Sequence, residues 1–287
     1  MDCVLDVKAE LGEGPAWDPD AGCLYFVDIE REVVHRYDPA TQTSRSFQVG
    51  MMVGAAALTA AGDLVLAVRD GFARLDLDSG HVRALADVEA ELPDQRMNDG
   101  KCDPAGRFWA GTMALDKRLG AGALYRLDPD GRVHRMLGDI SISNGLDWSA
   151  DGRLMYYVDT PTGSIDVFDF DCARGEIANR RSLARVDPCD GWPDGLTLDI
   201  DGYIWVALWS GAAVRRYAPD GTLDRVVAIP TTYPTSCAFG GPDLQDLYVT
   251  TAATALTPAE RLREPLAGGL FRCRPGVQGR PPHRFKG

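Results

Sequence analysis

The chain has 287 residues, 45% of them hydrophobic, with a formal charge of −12. That balance repels phosphate backbones and anionic membranes, and no basic patch offsets it, so neither nucleic acid nor a membrane is an expected partner. No apolar run approaches a membrane span, the acidic start MDCVLDVKAE lacks signal-peptide character, and seven scattered cysteines without a CxxC indicate neither a disulfide framework nor a zinc knuckle, so a cytoplasmic location with reduced thiols is expected.

Along the chain, one pattern recurs. GEGPAWDPDAG leads into CLYFVDI, MNDGKCDPAG into RFWAGTM, SNGLDWSADG into RLMYYVDT, and PDGLTLDIDG into YIWVALW. Each frame is a polar residue, a short apolar stretch, a glycine turn and a strand-like run of aromatic and β-branched residues. MMVGAAALTAAGDLVLAVRDG and TSCAFGGPDLQDLYVTTA are two weaker copies. The turn glycines fall at 22, 62, 106, 152 and 202, with Gly241 as the sixth. Each copy carries a second alternating hairpin: HRYDPATQTSRSF, ARLDLDSGHVRAL, LYRLDPDGRVHRM, DVFDFDCARGEIANRRSL, VRRYAPDGTLDRVV and, in the last, LFRCRPGVQGRP. Four strands per unit at a period of about 40 to 50 residues predict an all-β, six-bladed β-propeller, with residues 1–287 forming a single domain around a central channel.

The register places chemistry. Asn98, Asn144 and Asp194 each precede their turn glycine by eight residues, and Glu13 precedes Gly22 by nine because its turn is one residue longer. Equivalent positions on the innermost strands of a propeller converge at one mouth of the channel. Polar residues there also serve a merely water-filled pore, but four in register, two of them acidic, favour a ligand site. Glu13, Asn144 and Asp194 offer hard oxygen donors with two negative charges, suited to Ca²⁺, Mg²⁺ or Mn²⁺, and Zn²⁺ also accepts carboxylates. Arg96 and Asn98, two apart, supply a charged fork and an amide for a polyhydroxy substrate, although Arg96 reads equally as a surface charge.

Other site types find no support. GxSxG, Walker and GxGxxG motifs are absent. Of four histidines, His35, His81 and His134 fall in predicted outer strands, which leaves His283 and no basis for a histidine triad or zinc centre. Asp199–Gly202 and Asp128–Gly131 resemble the start of a calcium-binding loop but lack its remaining ligands and read as hairpin turns. The arginines at 261, 263, 272, 274 and 280 are expected on a solvated surface.

The segments LGEGPAWDPD, RMNDGKCDPAGRFWAGTMA, ISNGLDWSADGRLMYYVDT, IANRRSL, PDGLTLDIDGYIWVALW and CAFGGPDLQDLYVTTA resemble the gluconolactonase family that includes regucalcin, from about residue 10 to residue 271. The resemblance implies a propeller that hydrolyses sugar lactones to aldonic acids with one divalent cation, Ca²⁺ before Zn²⁺, Mn²⁺ or Mg²⁺. It implies Glu13, Asn144 and Asp194 as metal ligands and Arg96 and Asn98 as substrate contacts. It also implies a substrate contact at Asp116, which stands in GTMALD where regucalcin-like members carry a longer Glu. The mechanism expected is polarisation of the lactone carbonyl by the cation, with Asp194 taking a proton from the attacking water. Asp159 and Trp209, ending their second strands, are expected near the mouth, chiefly as packing. The expected partner is a small sugar lactone such as a glucono-, xylono-, arabinono- or galactonolactone, and the chain is expected to be a monomer or weak oligomer. Another esterase or phosphotriesterase on this scaffold, and a non-enzymatic calcium-binding propeller, are the alternatives.

Overall fold

Where the sequence repeats its turn glycines, the backbone turns left-handed, with φ of 62° at Gly22 and 82° at Gly202, a region that a side chain enters only at a cost. Each such turn joins two antiparallel strands, and in the computed structural model, which describes residues 1–287, these hairpins assemble into six four-stranded sheets. The molecule is a six-bladed β-propeller.

Blade one runs through Gly12–Asp18, Cys23–Asp28, Val33–Asp38 and Thr43–Gln48. The innermost strands of blades two to six are Val53–Leu58, Gln95–Cys102, Ser143–Trp148, Trp192–Leu198 and Pro234–Gly240. Blade six corrects an expectation. Its outer strand is not the segment after Arg274 but the chain's own beginning, Asp2–Leu5, which pairs antiparallel with Leu270–Cys273 in the register Cys3 to Phe271. The ring is thus closed by pairing the two ends of the chain.

The core lies between blades. Trp109, Trp148, Tyr157 and Phe170 interlock blades three and four, with Trp109 and Trp148 edge to face at 5.9 Å between centroids. Near the axis the approach is backbone to backbone, and a Cβ on Gly145 would lie 2.5 Å from the Leu196 nitrogen of the next blade. The expected calcium-like loops are turns, closed by hydrogen bonds from the amides of Gly131 and Gly202 to the carbonyls of Asp128 and Asp199. No helix is long and apolar enough to cross a membrane.

The segment after the last strand crosses the mouth where the innermost strands end. Gly279 bonds Leu244 of blade six, Gln278 accepts from Ile200 of blade five, and Arg280 donates to the Trp148 carbonyl of blade four. Phe285 pairs with Thr59 of blade two, Lys286 bonds Gly106 of blade three, and Arg284 reaches Asp18 and Asp20 of blade one. Arg280 is therefore half-buried and tied down, not solvated as expected. Phe285 packs with Val65 and Phe108 and is only 3% exposed. Phe285→Ala is expected to cost about 3 to 5 kcal/mol, read as a lower urea midpoint in equilibrium unfolding.

Candidate functional site

Each innermost strand breaks register near its start. The irregularities lie between Glu13 and Ala16, Val53 and Ala55, Met97 and Gly100, Ser143 and Leu146, Pro193 and Leu196, and Pro234 and Ser236. A bulge re-aims the residue it contains. Gly54, Asn98, Asn144, Asp194 and Thr235 lie within these irregularities and Glu13 at the edge of its own, one per blade. The four in-register residues read from the sequence therefore do meet.

They line a cavity of about 310 Å³ at the mouth opposite the chain's terminal crossing. Arg96 joins them, with Leu11, Met52, Met113, Leu115, Ile142 and Trp209 as apolar wall and Glu30, Lys117, Thr160 and Thr254 as further polar lining. Glu13, Asn98, Asn144 and Asp194 are at most 5% exposed, so bulk water satisfies little of their polarity.

Their hydrogen bonds show what is fixed and what is left open. The Asn144 amide nitrogen donates to Thr160 Oγ1 at 3.0 Å, and that hydroxyl donates to the Pro193 carbonyl at 2.9 Å. This relay holds the amide so that its oxygen faces the cavity. Asn144 Oδ1 and Asp194 Oδ1 are buried without any partner. Glu13 accepts only from the neighbouring Gly14 amide, at 3.0 Å. Asn98 donates to the Ser143 carbonyl at 2.7 Å and accepts from Arg96 Nη1 at 2.6 Å, and the same nitrogen donates to the Met97 carbonyl. One lone pair and one amide hydrogen of Asn98 remain for a substrate.

Burial, then repulsion from Asp194 and Asp99, raises the Glu13 carboxyl well above its ordinary value. Asp194 is raised in the same way by burial and then by Asp99. Burial pushes Arg96 down to about 10, with Glu13, Glu30 and Asp194 opposing, so it stays charged at neutral pH. Asp99 itself, buried deeper in the channel, is pushed up to about 6.

Asp116 is not brought to the site. Its exposed carboxylate turns to Arg118, pairing at 3.2 Å, while Leu115 and Lys117 on either side line the cavity. Trp209 does line it, packed against Tyr233 with centroids 4.7 Å apart and the rings tilted by 50°. Asp159 does not. It accepts from the Ser141 and Ile142 amides and so holds the loop entering the strand of Asn144. Asp28 does the same in blade one, accepting from Glu10 and Leu11 ahead of Glu13. His35 lies in the third strand of blade one, buried against Phe26, and no histidine lines this mouth.

A divalent cation fits this donor set. Two repelling carboxylates and two unpartnered oxygens are what it would satisfy, and a buried unpaired acceptor otherwise costs about 1 to 3 kcal/mol. No group of three or more His, Cys, Asp or Glu side chains has metal-holding geometry, and the third donor here is a carboxamide.

Residues 11–253 match the model of the SMP-30/Gluconolactonase/LRE-like region. The chain belongs to that family. It is 39% identical to the regucalcin of Oryctolagus cuniculus over 294 residues, covering all of this chain and 98% of the other. A Bacillus subtilis (strain 168) protein provisionally named a sugar lactone lactonase is also 39% identical, over 290 residues, with 100% and 99% covered. Among solved structures, a regucalcin of Agrobacterium tumefaciens str. C58, described as a calcium-binding protein, superposes with a TM-score of 0.95 at 30% identity over 99% of this chain and 96% of that one. Membership in the family supports hydrolysis of sugar lactones as the general activity.

The raised carboxyls set a pH dependence in the cation-free protein. A carboxylate whose folded pKa lies above its unfolded one weakens the fold at pH above the folded value, and the penalty fades as pH falls to the ordinary carboxylate value of ~4. Asp194→Asn removes one such charge. In chelator, the variant is expected to be the more stable at pH 7 to 8, with the advantage shrinking toward nothing near pH ~4, as followed by urea unfolding at each pH.

Proposed function

We propose that the chain hydrolyses an aldonolactone to the aldonic acid at the mouth lined by Glu13, Asn144 and Asp194, with one divalent cation held by those three side chains. The observation that carries the reading is the pair of unpartnered buried oxygens, Asn144 Oδ1 and Asp194 Oδ1, beside Glu13 in a cavity of about 310 Å³, room for one small ring. An all-oxygen set with two negative charges suits Ca²⁺ first, with Mg²⁺, Mn²⁺ and Zn²⁺ as alternatives.

When bound there, the cation supplies Lewis acidity for the lactone carbonyl, worth several kcal/mol in the transition state. The chain's own residues do the rest. Arg96, fixed by Asn98 and the Met97 carbonyl, presents its guanidinium to the substrate oxygens. Asn98 adds its remaining amide hydrogen and lone pair. Water adds to the carbonyl carbon while its proton passes to the Asp194 carboxylate, and the ring C–O bond then breaks. The departing alkoxide takes that proton back from Asp194 to become the hydroxyl of the acid, which returns Asp194 to its carboxylate. Proton transfer to a placed base contributes roughly 10²- to 10⁴-fold. The apolar wall of Leu11, Met52, Met113 and Ile142 limits competing water.

Acid release from a panel of aldonolactones, with chelator and with each cation restored, tests the reading. Asp194→Asn is expected to keep much of the cation affinity and to lose roughly 10²-fold or more in kcat. Glu13→Gln is expected instead to raise the cation concentration needed for half-maximal activity. An active Asp194→Asn enzyme removes the base, and cation binding without turnover of any lactone makes the protein a binding module.

A further inference from the structure

The loop after the second strand of blade three brings to the mouth a cation with no acceptor. Lys117 lines the cavity, yet its ammonium makes no ion pair, because its neighbours Asp116 and Arg118 pair with each other. Its backbone is left-handed, with φ of 59°, and its amide is bonded to the Ala114 carbonyl at 2.9 Å. A residue with a Cβ occupies that region at a cost, and such positions gather at ligand sites. The other cation of the lining, Arg96, is already engaged by Asn98 and the Met97 carbonyl. Three carboxylates, Glu13, Glu30 and Asp194, face these two cations, and Glu30 is drawn to the Thr254 hydroxyl. With a divalent cation bound, the balance at the mouth turns positive although the chain as a whole carries −12.

We propose that Lys117 selects a lactone bearing a second, free carboxylate, the monolactone of a sugar diacid, whose distal carboxylate meets the Lys117 ammonium while its ring carbonyl lies over Glu13, Asn144 and Asp194. This deepens the lactonase reading above and rests on it. The wall beside Lys117 is Met113 and Leu115, which offer no side-chain hydrogen bonds to a neutral polyol tail. A carboxylate there forms a charge-assisted hydrogen bond with the ammonium at the exposed rim of the cavity, stronger than a neutral one.

The test compares glucarolactone with gluconolactone, which differ in carrying a carboxylate or a hydroxymethyl group at the far end. The wild-type enzyme is expected to prefer the diacid lactone by about tenfold in kcat/KM, and Lys117→Ala to erase most of that preference through KM and not kcat. Lys117→Arg is expected to restore it. Added salt is expected to raise KM for the diacid lactone more than for the other. An unchanged preference in Lys117→Ala, or equal losses for both substrates, overturns the role of Lys117. A wild-type enzyme that hydrolyses gluconolactone and not glucarolactone sinks this inference alone, whereas one that hydrolyses neither sinks the lactonase reading with it.

Discussion

Glu13 and Asp194 arrive from blades one and five, buried, mutually repelling and without enough donors to satisfy them. Water reaches them too little to screen them, and the backbone does not let them retreat, because Asp194 sits in a bulge and Glu13 at the edge of one, with their surroundings pinned. Gly145 touches the strand of Asp194 backbone to backbone, and the loop ahead of Glu13 is held by the Asp28 carboxylate. Relief comes either from a proton, as the raised carboxyls show, or from a positive charge between them. The closing of blade six by Asp2–Leu5 belongs to the same constraint, since a ring that opened would let the two carboxylates part.

Much of this was legible in the residues. The eight-residue interval from ring position to turn glycine is a property of hairpin geometry, and it located Asn98, Asn144 and Asp194 on one circle before any coordinates. The same interval joins Gly54 to Gly62, and glycine fits there because a Cβ would strike the Asn98 carbonyl at 2.4 Å. Thr235 escaped the count because the turn of blade six has its left-handed residues at Gly241, with φ of 82°, and Leu244, with φ of 54°, and neither stands eight residues after it. The pairing of Asp2–Leu5 was illegible for a different reason. A contact between the two ends of a chain leaves no local periodicity to read.

Side-chain direction was the other limit. Asp116 and Lys117 are adjacent, and the sequence favoured the acid because it sits in a familiar motif. In the structure it is Lys117, at a φ of 59°, that lines the cavity, while Asp116 pairs with Arg118. Thr160 carried no motif at all, yet its hydroxyl sets the orientation of Asn144 by accepting from the amide and donating to the Pro193 carbonyl. An amide turned the other way would present two hydrogens to a cation, so this relay determines whether the third donor is a donor.

The channel has a second and larger cavity, about 540 Å³, at the mouth crossed by the terminal segment. Its volume does not make it the reactive one. Asp147 there is bonded to Lys101 at 3.3 Å and faces Arg280 at 3.7 Å, and these two cations hold its carboxyl below the ordinary value despite burial. The Asp147 charge already has its partners within the protein, so a ligand would have to displace them, although Asp99 in the same lining keeps a raised carboxyl. At the other end the carboxyls of Glu13 and Asp194 are pushed up by burial and by their acidic neighbours, against hydrogen bonds from Gly14, Asn144 and Gly195 and the Arg96 charge. The two mouths differ in this: at one, Asp147 is satisfied by Lys101 and Arg280, and at the other Glu13 and Asp194 are left unsatisfied around a space of molecular size.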